Sequence, residues 1–230
     1  MKRSTLFTLL SVFVLIPAAL LFGRALPGRG YYLTSTLVII FILIPFFLAF
    51  EGRKPQAREL VLIAVLCALA VASRAAFAWL PHFKPIFGVI IIAGIAVGPQ
   101  AGFLVGAIGA FASNFFFGQG PWTPWQMLAY GMCGLIAGLF YYRKNRLPKD
   151  PLSLGLFGFV VVLLVVCPLL DTSTVMTSLT VFTPASVIAV YTTAILTNLI
   201  QAGCTMLTLL ILSKPLLVKL ERIIVKYGLS

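Results

Sequence analysis

A succession of apolar runs constrains the fold of this chain more than any other feature. The runs lie at residues 5–23, 31–50, 60–80, 86–97, 100–118, 125–142, 152–170 and 185–213. Crossing roughly 30 Å of bilayer hydrocarbon takes about 20 helical residues. Only 10% of the 230 residues are charged and 61% are hydrophobic, whereas soluble domains carry about 25% charged residues. We therefore predict an all-α integral membrane protein with eight spans.

The short fourth run decides the predicted topology. Ile86 to Val97 is either a separate short helix or the start of one kinked helix that continues to Phe117. A reversal at Gly98-Pro99, with a cytoplasmic N-terminus, places 13 of the 17 Lys and Arg residues inside; without it, only 5 lie inside. Because cytoplasmic loops collect positive charge, we predict a multi-pass protein of a bacterial plasma membrane with both termini in the cytoplasm. The net charge of +12 then indicates orientation and attraction to anionic lipid, not nucleic-acid binding.

The hydrophilic stretch EGRKPQARE, residues 51–59, separates the first two runs from the other six. Lys2 and Arg3 precede the first run as in a signal peptide, but that run continues to Phe22 and a second follows at once, so both are expected to be retained. We predict an accessory pair of transmembrane helices in residues 1–52 and a six-helix core in residues 53–230.

Several chemistries lack the residues that they need. The chain has no Walker A motif and no Gly-Lys pair, so ATP hydrolysis by this chain is not expected. His82 is the only histidine, and the four cysteines lie singly in apolar runs, as small buried hydrophobes do. Of five acidic residues, Asp171 alone is expected on the outer side, at a helix end, whereas a proton-driven carrier is expected to hold a carboxylate within the membrane. We predict no enzyme activity, no intrinsic cofactor and no metal site.

The segment from Gly98 to Tyr130 combines a glycine-rich helix with a polar, aromatic turn. Gly98, Gly102 and Gly106 recur every four residues, so they share a helix face that lets a neighbouring backbone approach closely. The turn that follows is interrupted by glycine and proline and contains Gln119, Trp122, Thr123, Trp125 and Gln126. We interpret it as a recognition loop; the alternative for its two tryptophans is an interfacial aromatic belt.

On these residues the chain resembles the substrate-binding S component of energy-coupling factor (ECF) vitamin transporters. The features that carry the resemblance are an alanine-rich first core helix, a short second helix ending at Gly98-Pro99, and a glycine-rich third helix followed by GQGPWTPWQM. The turn most resembles that of cobalamin-specific S components. The resemblance implies a six-helix core, cobalamin or a related corrinoid as transported ligand, and delivery by reorientation in the membrane. It also implies two ATPase subunits and a coupling protein that packs on Ala64, Ala68 and Ala72.

The family fold implies a binding pocket that opens outward, and the polar residues of this sequence gather on that side. A large, amide-edged corrinoid needs aromatic faces and hydrogen-bonding groups. The candidate substrate-binding residues are Gln119, Trp122, Thr123, Trp125, Gln126, Asp171, Thr172, Ser173, Arg74, His82 and Tyr130. Asp171, Thr172 and Ser173 are expected in the loop between the fifth and sixth core helices. Arg74 is expected to bind ligand, to extend to the interface, or to pair with Asp171.

Two questions stay open at this point. The intramembrane polar residues Asn114, Tyr191, Asn198 and Gln201 either line the pocket or tie helices together. Two other functions also remain: a stand-alone passive or ion-coupled carrier for another small vitamin or precursor, and a membrane scaffold that transports nothing.

Overall fold

The computed structural model describes residues 57–142, 150–179 and 183–228 and, near the N-terminus, residues 6, 9–25, 34, 37, 38, 40 and 41. Seven helices have bounds within these residues. They are α1, a π-helical turn Ser11–Leu15 followed by Ile16–Ala25, and then α2 (Ala57–Ala76), α3 (Ile86–Val97), α4 (Pro99–Phe117), α5 (Thr123–Tyr141), α6 (Pro151–Ser178) and α7 (Pro184–Tyr227). The described residues contain no strand, which agrees with the predicted all-α class.

Four of these helices, α2, α4, α6 and α7, are long and apolar enough to cross a membrane. The helix α3 has only 12 residues, and the predicted second span, residues 31–50, lies largely outside the described residues. The eight predicted spans are therefore supported only in part. The orientation of the termini, likewise, stays a prediction.

Two predicted helix ends are wrong. The helix α6 continues to Ser178 instead of ending near residue 170, and α7 continues to Tyr227 instead of ending at 213. In α7, Pro215 lies inside the helix. At 44 residues, α7 is about 66 Å long, roughly twice the thickness of bilayer hydrocarbon. Its C-terminal part packs back on the bundle, because Leu217 and Leu220 are buried and the guanidinium of Arg58 lies 5.4 Å from the Tyr227 ring centroid.

The chain reverses between α3 and α4, as predicted. Gly98 adopts φ 111° and ψ 169°, a conformation that favours glycine, and Pro99 follows it at the start of α4. Gly94 and Gly102, on either side of this reversal, lie against each other, because a Cβ built at Gly102 would be 2.6 Å from the Gly94 Cα. Gly98 itself serves as the turn residue and not as part of the glycine face.

Close backbone contact joins α4 to α5. A Cβ at Gly102 would lie 2.6 Å from the carbonyl oxygen of Gly134, and one at Gly106 would collide with the backbone at Tyr130. A Cβ at Gly138 would collide with Pro99. These contacts confirm that Gly102 and Gly106 let a neighbouring backbone approach, and they set α4 and α5 antiparallel at short distance.

The core of the bundle is centred on α3. Its residues from Ile86 to Ile95 are all buried, as expected for a helix that is apolar on every side. The described part of α1 belongs to the same apolar core, through Val12, Ile16 and Leu20. The accessory helix therefore packs on the bundle.

Replacing Gly102 with Ala should destabilise the protein, because the added methyl group meets two backbones that have no room to move. Overpacking of this kind typically costs about 1–3 kcal/mol. The thermal unfolding temperature of the purified protein in detergent measures the effect. Gly203→Ala is the matched control, since a Cβ at Gly203 meets no described residue within 4 Å. Equal unfolding temperatures for the two variants would contradict the close contact.

Candidate functional site

A buried polar network lies at the end of the bundle where α4 passes into α5. We call this end the turn end, after the α4–α5 turn, residues 118–122. Arg74, near the C-terminus of α2, is only 7% exposed there. Its Nη1 donates to Oγ of Ser113 and to Oδ1 of Asn114, the latter at 3.0 Å. Arg74 is therefore buried within the protein and does not pair with Asp171; it bonds to two neutral oxygens on α4.

Asn114 connects this arginine to α5. Its Nδ2 donates to Oε1 of Gln126 at 2.9 Å and to Oγ1 of Thr123 at 3.1 Å. The Thr123 hydroxyl donates to Oε1 of Gln119 at 2.9 Å and accepts from the Gly120 amide at 3.2 Å. The Gln119 Nε2 donates to the Phe111 carbonyl at 3.1 Å.

The structure thus brings four predicted site residues together: Arg74, Gln119, Thr123 and Gln126. The connecting residue, Asn114, was not among the predicted site residues. The sequence feature that could have identified Asn114 is an amide side chain inside an apolar helix, because such a group is costly to bury unless it is hydrogen-bonded. The sequence alone left two roles open for that amide.

Aromatic rings surround the network. The Phe117 ring centroid lies 4.4 Å from Cζ of Arg74, and that of Tyr130 lies 5.9 Å from it. Tyr130 is fully buried and packs edge-on against Phe87, and its hydroxyl has no hydrogen-bond partner among the described residues. Cation–π contact of this kind stabilises a guanidinium that has left water.

The two tryptophans of the turn occupy different environments. Trp122 is 42% exposed, and its ring lies over Gly120, where any Cβ would collide with it. Trp125 lies in the first turn of α5 and is buried. An exposed ring held above a polar network can stack on a ligand, whereas the buried ring packs within the bundle.

A second polar cluster joins α6 to α7. Asn198 Nδ2 donates to Oδ2 of Asp171 at 2.7 Å, and the hydroxyls of Thr172 and Tyr191 lie 2.8 Å apart. Ser173 and Gln201 are also buried, and within the described part of the chain Ser173 Oγ and Gln201 Oε1 have no hydrogen-bond partner.

The prediction that Asp171, Thr172 and Ser173 lie in a loop is wrong, because α6 includes all three. Threonine hydroxyls hold this polar segment in the helix by bonding back one turn: Thr172 donates to Pro168 O at 2.7 Å, and Thr177 donates to Ser173 O at 2.7 Å. Asp171 is consequently a buried carboxylate, 8% exposed, about two turns before the end of α6. The expectation that Asp171 lies on the outer side of the membrane stays a prediction.

His82 stands apart from both clusters. It is exposed in the loop between α2 and α3, with φ 62°. The four cysteines are free and buried, as predicted. Among the described residues, no group of three or more His, Cys, Asp or Glu side chains could hold a metal ion.

The predicted partner residues lie on the outside of α2. Ala64, Ala68 and Ala72 are exposed, as are Val61 and Val65. The opposite face of the helix, which contains Leu66, Ala70 and Arg74, is buried. One helix thus contributes both to the network and to an uncovered surface of small residues.

These features define a helical membrane protein with a polar site at one end, and comparisons with known proteins give its family. The family model of the ECF-type riboflavin transporter S component matches residues 54–219. The chain therefore belongs to this family of S components. The predicted S-component membership is confirmed. Specificity for cobalamin has no support from the family model.

Individual relatives match a shorter stretch. The chain is 35% identical over 114 residues to a UPF0397 protein of Vibrio atlanticus, covering 47% of this chain and 62% of that protein. It is 36% identical over 98 residues to a UPF0397 protein of Aliivibrio fischeri, covering 40% and 53%. It is 32% identical over 100 residues to the folate transporter FolT of Streptococcus mutans, covering 42% and 54%.

The chain thus spans between 53% and 62% of the lengths of these relatives. No solved structure matches the chain significantly.

Replacing Asn114 with Ala should destabilise the protein, because it leaves Arg74, Thr123 and Gln126 each without one partner. A buried polar group left unpaired costs about 1–3 kcal/mol. Thermal unfolding in detergent measures the loss. Thr192→Val is the control, since the Thr192 hydroxyl is exposed and bonds only to carbonyls of its own helix. A parental unfolding temperature for Asn114→Ala would show that the network contributes nothing to stability.

Proposed function

We propose that this chain is the substrate-binding subunit of an ECF-type importer. It captures a vitamin-type substrate at the turn end, which faces outward, and releases it inside after reorienting in the membrane. A coupling protein and two ATPase subunits supply the energy, and both termini of this chain lie in the cytoplasm. Family membership supports this role. The observation that carries it is the network that joins Arg74, Asn114 and Gln126 beneath the exposed ring of Trp122.

Flat heterocyclic vitamins fit this site best. The family is named after a riboflavin transporter, and one relative is named a folate transporter. Both vitamins combine a planar ring with amide-like edges. A half-exposed indole offers a stacking face for such a ring. Gln119 and Gln126, three residues before and four residues after Trp122 in the chain, offer amide groups for the ring edge. A corrinoid also carries amides and stays a second candidate, supported only by the resemblance of the GQGPWTPWQM turn.

Binding by the isolated chain tests the proposal. The purified protein, in detergent, is titrated with riboflavin, folate and cobalamin by isothermal titration calorimetry. Saturable binding of one of them at a single site is the expected result. If none binds, and no vitamin co-purifies with the chain, the substrate-binding role fails and a scaffold role gains support.

Trp122→Ala should weaken binding of that vitamin at least about tenfold. A stacked ring contributes about 0.5–1.5 kcal/mol beyond the area that it buries, and about 1.4 kcal/mol is a factor of ten. Gln126→Ala should weaken binding in the same direction. Phe140→Ala is the control, because Phe140 is an exposed aromatic residue at the opposite end of α5. Affinities within twofold of the parent for both site variants would make the turn an interfacial anchor.

Ala68→Leu should abolish uptake and leave vitamin binding by the isolated chain unchanged. The exposed small-residue face of α2 can pack closely on a partner helix only while its side chains stay small. Uptake is measured in cells that express the whole importer, and binding is measured by calorimetry. Ala189→Leu is the control, because it makes the same substitution at an exposed alanine of a different helix, α7. Loss of binding together with uptake would indicate misfolding instead.

The buried Asp171 supports a second candidate, an ion-coupled carrier that works alone. A carboxylate within a membrane helix commonly marks an ion or proton pathway. Asp171 is hydrogen-bonded to Asn198, which is neutral, so the carboxylate charge stays available to bind a cation or a proton. Liposomes that contain only this chain distinguish the two functions: a carrier accumulates the vitamin under a proton or sodium gradient without ATP, whereas an S component alone does not.

A further inference from the structure

Arg74 is a buried cation without an acidic partner among the described residues. Its hydrogen bonds go to Ser113 and Asn114, which are neutral. The buried carboxylate of Asp171 is bonded to Asn198 instead. A charged side chain buried in a protein is costly unless an opposite charge or water compensates it. The cation–π contact with Phe117 compensates it only in part, because a ring quadrupole carries no net charge.

The guanidinium also has unused donors. Arginine has five N–H groups, and the two hydrogen bonds of Arg74 both come from Nη1. The described part of the chain supplies no acceptor to Nε or Nη2. The edge that carries these two nitrogens has the geometry that binds both oxygens of a carboxylate or phosphate. Ser113 and Asn114 hold the opposite side of the group, so the free edge is fixed in place.

The position of Arg74 connects it to the proposed vitamin site. Asn114 bonds to Arg74 and to Gln126 at once, and Gln126 follows the exposed Trp122 by one helical turn. A ligand stacked on Trp122 is therefore bordered by the network of which Arg74 is the charged member.

We propose that Arg74 binds an acidic group, a carboxylate or a phosphate, of the transported vitamin. This inference rests on the proposed function and narrows it: the substrate is an anion. Ser113, Asn114 and Gln126 act as positioning residues, since they orient the guanidinium and the amide beside it. The buried charge is then neutralised when the substrate binds, and the empty site keeps an uncompensated cation.

Pairs of vitamins that share a ring but differ in charge test the proposal. The probes are riboflavin against riboflavin 5′-phosphate, and pterin against pterin-6-carboxylate, each titrated into the purified full chain. For at least one pair, the acidic member should bind at least about tenfold more tightly, the factor expected for a charge-assisted hydrogen bond. Arg74→Gln should remove that preference, and Arg74→Lys should retain part of it.

Arg58→Gln is the matched control. It makes the same change of charge on the same helix, at the exposed end farthest from Arg74, and should leave the preference unchanged. Elution as a single species in gel filtration shows that each variant is folded. If Arg74→Gln misfolds, Arg74→Lys decides. An equal loss of affinity for both members of each pair, or binding of both members by the parent with equal affinity, overturns the proposal and makes Arg74 a structural residue.

A second measurement distinguishes failure of the anion site from failure of the proposed vitamin-binding function. Inorganic phosphate and acetate, at constant ionic strength, should raise the unfolding temperature of the parent but not of Arg74→Gln. If no vitamin binds and this anion effect persists, the proposed function fails and the anion site stands. If neither anion nor vitamin distinguishes the two proteins, the anion site is overturned.

Nanodiscs distinguish substrate from lipid. The unfolding temperatures of parent and Arg74→Gln are compared in phosphatidylcholine and in phosphatidylglycerol discs. A difference between the proteins that appears only with phosphatidylglycerol, and no effect of the acidic vitamins, would assign the acidic group to a lipid headgroup and overturn the substrate assignment.

Discussion

The site depends on backbone contact between α4 and α5. Glycines at Gly102, Gly106 and Gly134 let the two backbones touch without intervening side chains. In a membrane, where lipid is as apolar as the helices, such close packing is a main source of helix association. The contact at Gly106 and Tyr130 sets the register of the two helices. Asn114, two turns beyond Gly106, therefore meets Gln126, one turn before Tyr130.

Hydrogen bonding within the bundle explains where polar residues are placed. A polar group in an apolar interior must find a partner in the protein. Asp171 accepts a hydrogen bond from Asn198, and the threonines of α6 donate to carbonyls of their own helix. Arg74 donates hydrogen bonds to neutral oxygens on α4 and makes a cation–π contact with a neighbouring aromatic ring. The hydroxyl of Tyr130 and Oε1 of Gln201 have no partner in the part of the chain that the structure describes, and both lie on helices that border the two polar clusters.

The helix α2 links the two surfaces that the proposed function needs. Its buried face provides Arg74 to the network, and its exposed face presents Ala64, Ala68 and Ala72. A displacement of α2 caused by a partner would therefore act directly on Asn114 and, through it, on Gln126. The proposed binding residue Arg74 and the proposed partner surface are therefore parts of the same helix.

The sequence by itself determined the class of protein, the reversal at Gly98-Pro99 and the glycine packing, because apolar length, glycine spacing and turn residues are local properties of the chain. The S-component family was suggested by resemblance and is shown by the family model. The sequence also selected Arg74, Gln119, Thr123 and Gln126 as candidate site residues. Only the tertiary structure joined these four through Asn114, since the partner of an intramembrane amide depends on helix register. It also decided the lengths of α6 and α7. In α6, hydrogen bonds from threonine hydroxyls to carbonyls of the same helix keep Asp171 in helical structure. In α7, packing on the bundle allows the helix to continue beyond Pro215. Neither interaction can be deduced from residue type alone.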